Sequence, residues 1–147
     1  MSDDRVKAIG NGIDLEFYDP VQVQPVNLED RGPLILFTGQ MDYQPNVQAV
    51  DSFSLQVMPD ILARFPDAHF AIVGRAPVEK VKQLDGRNGT IVTGPVDDIR
   101  SWIKAADIVV APLRIARGIQ NKVLEAMAMG KPVVASACAA EGVDAVD

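Results

Sequence analysis

Five short runs of apolar, largely β-branched residues are the feature that most limits what this chain can fold into. Longer amphipathic stretches separate the runs, and each run is apolar throughout rather than alternating. This pattern is typical of strands that helices cover on both faces of a parallel sheet. The sequence therefore predicts five strands, at residues 34–39, 69–74, 90–94, 107–113 and 132–136.

The stretches between the runs have helical periodicity. Helices are predicted over residues 46–65, 78–85 and 97–106. Within the first, Pro59 predicts a kink, and either Asp97 or Asp98 is expected to cap the third. Strands that alternate with helices at this spacing form right-handed crossovers. The predicted fold class is therefore α/β, a doubly wound, Rossmann-like parallel sheet of about five strands.

Composition limits the classes of partner. The 147 residues carry a formal net charge of −6 at pH 7, so no general field attracts nucleic acid or an anionic membrane. The single cysteine, Cys138, cannot form an internal disulfide and has no companion cysteine or histidine cluster for zinc. No apolar run approaches the roughly 20 residues that span a bilayer. We expect a soluble, cytoplasmic chain that uses no metal or other cofactor and binds no nucleic acid.

Glycines recur at the predicted strand exits. In doubly wound sheets, ligands bind beyond the carboxyl ends of the strands. Three of the five predicted strands end in a glycine, namely Gly39, Gly74 and Gly94, where the missing Cβ lets a ligand approach the backbone. Any one of these glycines could simply end its strand. Their repetition along one edge favours a binding site there.

Three charged residues precede the last predicted strand. If a helix begins near Ile119, its N-terminus offers N–H groups and a favourable dipole to an anion. Arg117 and Lys122 would add two cations at that point, which suits a pyrophosphate. Glu125 could accept hydrogen bonds from the vicinal hydroxyls of a nucleotide ribose. From spacing alone, the alternative is a solvated helix face on which Lys122 and Glu125 form an ordinary i, i+3 pair.

The same helix is expected to pack on the sheet through one apolar face. That predicted face consists of Ile119, Val123, Ala126, Met127 and Gly130.

Several blocks of the sequence, in the order in which they occur, resemble a known family. They are GNGIDLEFYDP, ILFTG, RFPDAHFAIVG, VTGPVDDIRSWIKAADIVVAPL and NKVLEAMAMGKPVVAS followed by AAEG. Together they resemble the carboxy-terminal, donor-binding half of a GT-B glycosyltransferase of retaining family 4, the glycosyl transferases group 1. The resemblance covers roughly residues 6–147. The details GQMDYQPN and PLRIARGIQNKVLEAMA most resemble bacterial sugar transferases of exopolysaccharide production.

The resemblance implies an enzyme that moves a sugar from a nucleotide diphosphate donor to an acceptor, a polysaccharide or a lipid-linked glycan, with retained configuration. Residues 1–33 would contain the interdomain hinge, and residues 34–147 would form the nucleotide-sugar-binding domain, incomplete at its C-terminus. The N-terminal acceptor-binding domain would be missing from this chain, which alone would be inactive. The full-length protein could lie at the inner face of the membrane.

The resemblance also assigns roles to single residues. Gly94, Pro95 and Val96 would border the base, Glu125 would hold the ribose hydroxyls, and the stretch 118–122 would lie against the diphosphate. The expected donor-binding residues are Gly39, Gln40, Gly74, Arg75, Gly94, Pro95, Val96, Gly118, Ile119, Gln120, Asn121 and Glu125. Arg117 and Lys122 would have the catalytic role of stabilising charge on the diphosphate. No metal-binding motif is present, which agrees with a metal-independent member of the family.

Two positions depart from the family pattern. The family usually has a pair of glutamates separated by seven residues, of which the second here is Glu125, whereas Arg117 occupies the first position. After the first strand, Gly39 is followed by Gln40, where the family commonly has an arginine. Both departures make Arg117 the expected replacement source of positive charge for the diphosphate.

Two other functions stay open at this point. A nucleotide-sugar epimerase of the same fold would act on the donor without an acceptor. A non-catalytic α/β module would serve protein association and bind no nucleotide.

Overall fold

Five parallel strands form one sheet in the order β3-β2-β1-β4-β5. The computed structural model describes residues 13–29, 31–116 and 120–141. The strands are β1 (Leu34–Thr38), β2 (His69–Val73), β3 (Thr90–Gly94), β4 (Ile108–Ala111) and β5 (Val133–Ala135). Each lies within the range that the apolar runs predicted, and the α/β Rossmann-like fold class is confirmed.

The central strand β1 organises the sheet. All five of its residues are buried, and it pairs along its whole length with β2, from Leu34 opposite His69 to Thr38 opposite Val73. On its other side it pairs with β4, with Ile35 opposite Ile108. The chain leaves β1 toward β2 and β3 and later returns to the other side for β4 and β5. The direction of winding therefore reverses at β1, and the crevice at such a reversal is where doubly wound sheets bind ligands.

Alternate residues of β1 enter two separate cores. Ile35 and Phe37 belong to a cluster with Val47 and Val50 of helix α1 (Gln44–Ser52). Leu34 and Leu36 belong to a second cluster, which includes Ile103 of helix α4 (Ile99–Ala105) and Ala126 of helix α5 (Asn121–Ala128). A strand whose two faces are both covered has no polar side, which is why the run LILFT does not alternate.

The long helix predicted over residues 46–65 is interrupted where Pro59 predicted it. Helix α1 passes into a π-helical turn, Phe53–Val57, and then into α2 (Met58–Arg64). The amide of Met58 donates to the carbonyl of Phe53, five residues back. In a regular helix, the Pro59 ring would clash with the carbonyl four residues earlier. The wider π turn relieves that clash.

Two four-residue helices complete the described fold, α3 (Glu79–Lys82) and α6 (Ala137–Ala140). Of the two candidate caps of α4, the structure uses Asp98, whose side chain accepts from the amide of Arg100. Helix α3 is shorter than the predicted 78–85.

The predicted apolar face of α5 is wrong at its end. Val123 and Ala126 are buried as expected, but Met127 is 40% exposed and Met129 is buried in its place. The helix stops at Ala128, and the chain turns through Gly130, which has a φ of +73°. The amides of Gly130 and Lys131 bond back to the helix in a Schellman turn. This turn directs the side chain of Met129, beyond the helix, into the core.

Residues 13–29 run along helix α4. They include a 3₁₀ turn, Pro20–Gln22, and a buried apolar residue, Val23. The amide of Val26 donates to the carbonyl of Ser101 at 3.0 Å, and the ammonium of Lys104 donates to the carbonyl of Pro20. The division at residue 33, between a hinge segment and the nucleotide-sugar-binding domain, stays a prediction.

We predict that Gly74→Ala strongly destabilises the fold. A Cβ at Gly74 would lie 1.6 Å from the carbonyl oxygen of Gly39, so the exits of β1 and β2 would have to separate. Overpacking of backbone against backbone should cost about 3 kcal/mol of unfolding free energy, measured by urea denaturation.

Gly86→Ala is the matched control. Its Cβ would meet nothing within 4 Å, and only the positive φ of +82° opposes it. We expect a loss of about 1 kcal/mol from that backbone conformation. Equal losses for the two variants would contradict a close approach between Gly39 and Gly74.

Candidate functional site

An open cleft lies at the carboxyl edge of the sheet, where the exits of β1 and β2 meet the N-terminus of α5. It consists of two adjoining cavities of about 410 and 660 Å³. The two cavities share the lining residues Gly39, Gln40, Ile99, Asn121 and Glu125. The cleft therefore lies at the reversal point of the sheet, where a doubly wound fold binds its ligand.

Most of the predicted site residues meet in this cleft. Those that line it are Gly39, Gln40, Gly74, Arg75, Pro95, Val96, Gln120, Asn121, Lys122 and Glu125. Gly94 does not line it but belongs to a separate pocket with Thr93. A β-bulge at the end of β3 accounts for the difference, because it shifts the register so that Val73 pairs with Gly94. Arg117, Gly118 and Ile119 lie outside the described residues.

Lys122 is held in the first turn of α5. Its Nζ atom lies 3.4 Å from Oδ1 of Asn46 and 5.0 Å from the centroid of the Phe37 ring. Asn46 is buried in α1 and is itself fixed, since its side-chain amide donates to the carbonyl of Gln40 at 3.0 Å. Burial lowers the pKa of Lys122, and the nearby carboxylate of Glu125 opposes this effect. A bound anion would further stabilise this ammonium.

Glu125 lies one turn along the same helix and is also half-buried. Burial raises the pKa of its carboxyl group, while the hydroxyl of Tyr18 and the charge of Lys122 oppose that rise. The Tyr18 hydroxyl donates to Oε2 at 2.9 Å. Burial, together with the hydrogen bond to Glu125 and its charge, raises the pKa of Tyr18 to about 12. The phenol therefore keeps its proton at neutral pH and acts as a donor.

Gln40 connects the exits of β1 and β2. Its side-chain oxygen accepts from Nη2 of Arg75 at 2.9 Å, and its nitrogen donates to Oδ1 of Asp42 at 2.6 Å. At this position the resemblance led us to expect an arginine. Here a neutral amide instead orients an arginine that belongs to the next strand exit, so a guanidinium still reaches the rim of the cleft.

The N-terminal end of α5 also lies against the cleft, because Gln120, Asn121 and Lys122 all line the first cavity. Gln120 is the N-cap residue, and the helix begins at Asn121. The positive end of the helix dipole favours an anion at this position. The cleft thus combines a helix N-terminus, a lysine and a carboxylate within one turn of helix.

Sequence reasoning missed five contributors to the site: Tyr18, Thr38, Tyr43, Asn46 and Ile99. Asn46 and Ile99 were assigned to predicted helices, where their pattern indicated only helix formation. Tyr18 is separated from Glu125 by 107 positions. No periodicity could have indicated that contact.

Two further properties concern the described residues only. None of their helices is long and apolar enough to cross a membrane. Their His, Cys, Asp and Glu side chains form no cluster of three or more that could hold a metal ion.

A Rossmann-like domain with a ligand cleft at its reversal point is the class that this geometry defines. The sequence model of the glycosyl transferases group 1 matches residues 32–146. The chain therefore belongs to the glycosyl transferases group 1 family.

Two curated relatives are phosphatidyl-myo-inositol mannosyltransferases. That of Mycobacterium tuberculosis is 30% identical over 132 residues, which cover 87% of this chain and 34% of the relative. That of Mycolicibacterium smegmatis is 33% identical over 133 residues, which cover 87% of this chain and 33% of the relative. The chain thus spans about a third of the length of these relatives.

Solved structures show the same fold. A glycosyltransferase from Rickettsia africae superposes with a TM-score of 0.62 at 20% identity, over 99% of this chain and 42% of that one. Anabaena Alr3699/HepE, solved in complex with UDP and glucose, superposes with a TM-score of 0.57 at 19% identity, over 86% of this chain and 37% of that one. These likenesses identify the fold as one Rossmann-like half of the GT-B glycosyltransferases.

We predict that Glu125→Gln moves the titration of Lys122 to lower pH. The carboxylate raises the pKa of Lys122 against the effect of burial, so its loss leaves burial unopposed. The measurement is an NMR titration of the Lys122 Cε signal in the ligand-free chain.

Glu79→Gln, a substitution in the exposed first turn of α3, is the control and should leave the Lys122 titration unchanged. An identical Lys122 midpoint in Glu125→Gln and the original chain would show that the two groups do not interact.

Proposed function

We propose that this chain is the donor-binding domain of a glycosyltransferase that transfers a sugar from a nucleotide diphosphate sugar with retention. The observation that carries the proposal is the pair on α5: Lys122 and Glu125 face one cleft, where burial displaces their pKa values in opposite directions. An isolated surface pair would show neither the burial nor the shared cavity. Perturbed ionisable groups in a cleft are typical of functional sites.

Lys122 and the N-terminus of α5 suit the diphosphate. When the sugar leaves, negative charge develops on the phosphate oxygens, and fixed cations and N–H dipoles lower that barrier. Arg75 at the rim adds a further cation. We retain Arg117 as a third cation, an assignment that rests on the sequence alone.

Because these cations and the helix N-terminus compensate the charge of the diphosphate, we predict that donor binding needs no metal ion. EDTA should therefore leave the affinity for the nucleotide unchanged.

Glu125 suits the ribose. A carboxylate can accept hydrogen bonds from two vicinal hydroxyls, as acidic residues of other nucleotide-binding folds do. Gly74, Pro95 and Val96 line the second cavity, which extends from Glu125 away from Lys122, and we assign that cavity to the base. In this arrangement the nucleotide lies across the exits of β1 and β2.

The comparisons with known proteins support a role in glycosyl transfer. Two curated relatives are named as mannosyltransferases, and the Anabaena neighbour was solved with UDP and glucose. Because the chain spans about a third of the relatives, we place the acceptor site in an N-terminal domain outside this chain. The chain alone should bind donor and transfer nothing. A polysaccharide or lipid-linked acceptor, a role in exopolysaccharide production and a place at the inner face of the membrane rest on the resemblance.

We predict that the chain binds nucleoside diphosphates through Glu125. Isothermal titration with UDP, GDP and ADP should find one preferred base, and the 2′-deoxy form of that nucleotide should bind more weakly. Glu125→Gln should reduce affinity for the ribonucleotide by about tenfold or more, since a hydrogen bond to a charged group contributes roughly 1.5–3 kcal/mol. It should also abolish the preference for ribose.

Glu79→Gln is again the matched control and should bind as the original chain does. Absence of binding at millimolar nucleotide would favour a non-catalytic module. If the full-length protein isomerised the donor sugar without transferring it to any acceptor, the epimerase alternative would replace the transferase.

A further inference from the structure

Tyr18 reaches the cleft from outside the elements that line it. Its hydroxyl donates to Oε2 of Glu125 at 2.9 Å, across 107 positions of sequence. Tyr18 lies just before the 3₁₀ turn Pro20–Gln22, in the segment that precedes the sheet. The contact therefore connects this segment directly to the carboxylate assigned to the ribose.

A series of contacts with the start of α4 holds Tyr18 in place. Its ring meets that of Phe17 edge to face, with centroids 5.0 Å apart. The guanidinium of Arg100 lies 3.9 Å above the Phe17 ring and donates to the Phe17 carbonyl at 2.8 Å. Asp98 fixes that guanidinium through two further hydrogen bonds, of 3.0 and 2.8 Å. The phenol is therefore anchored independently of Glu125.

The hydroxyl restricts which oxygen of Glu125 a ligand can use. A carboxylate has two oxygens and about four acceptor positions. Tyr18 occupies Oε2, whereas Oε1 has no hydrogen-bond donor among residues 13–29, 31–116 and 120–141. A glutamate side chain loses considerable conformational entropy when it is ordered. Because the Tyr18 hydroxyl already orders the side chain, less of that entropy is lost when a ligand binds.

We propose that Tyr18 is a positioning residue that orients Glu125, so that Oε1 faces the vicinal hydroxyls of a ribonucleotide. The inference rests on the proposed function, since it takes Glu125 as the ribose-binding group. Tyr18 itself touches the carboxylate and not the reacting atoms. Its hydroxyl thereby contributes to the preference for ribose over deoxyribose.

In this positioning role, Tyr18 also extends ribose binding to lower pH. Among the described residues, Lys122 on the same helix and Tyr18 act on Glu125, and Arg75 lines the second cavity with it. Arg100 and Asp98 act on Tyr18. The tyrosine hydrogen bond lowers the pKa of Glu125 against the effect of burial. Binding through the carboxylate is present above that pKa and is lost as the pH falls through it. Without the hydroxyl the pKa rises further, so the loss occurs at higher pH.

The test compares the affinities of the preferred ribonucleotide and its 2′-deoxy form across pH 5–8, in Tyr18→Phe, Glu125→Gln, the double variant and the original chain. The ratio of the two affinities cancels protonation of the phosphates. Tyr18→Phe should lower ribonucleotide affinity by about fivefold, in proportion to one hydrogen bond. It should also move the acid loss of the ratio to higher pH. In the Glu125→Gln background, Tyr18→Phe should change neither the ratio of the two affinities nor its dependence on pH.

The outcomes separate the two proposals. If Glu125→Gln weakens ribonucleotide binding but Tyr18→Phe leaves both the affinity and the pH profile unchanged, the inference fails and the proposed function stands. If the original chain binds no nucleotide, both fail. Urea unfolding of Tyr18→Phe shows whether the variant is folded. Equal weakening of the ribo and deoxy forms by Tyr18→Phe would indicate a merely structural role and overturn the inference.

Discussion

The reversal of winding at β1 is the constraint on which the rest of the structure depends. Because β2 and β4 lie on opposite sides of this buried strand, the crossovers leave it in opposite directions and open a crevice at its carboxyl end. The exits of β1 and β2 approach so closely there that a Cβ atom at Gly74 would collide with the backbone of Gly39. Helix α5 begins at the same edge and brings Lys122 and Glu125 to the crevice.

The charged pair of the site does little to stabilise the ligand-free fold. Burial opposes the charged forms of both Lys122 and Glu125, and each partly offsets the cost of the other. Such pairs contribute little to stability by themselves. In the proposed function, these two groups bind the anionic part and the hydroxylated part of one ligand. Membership of the glycosyl transferases group 1 family agrees with that explanation.

Much of the fold could be predicted from local pattern. The apolar runs identified all five strands, and Pro59 marked the interruption between α1 and α2. The structure departs from the predictions where one residue's conformation overrides the local pattern. The end of α5 is decided by the turn at Gly130, and the exit of β3 by a bulge. Neither leaves a periodic signal, since each depends on a single backbone conformation.

The sequence by itself determined the parallel sheet, the edge at which the cleft opens and the helix that carries Lys122 and Glu125, because periodicity and strand exits are local properties. Only the tertiary structure decided which groups surround those two side chains. Asn46 reaches Lys122 across 76 positions and Tyr18 reaches Glu125 across 107. Contacts between segments so distant in the chain depend on how α1, α4 and α5 pack around β1, and that packing is a property of the whole fold.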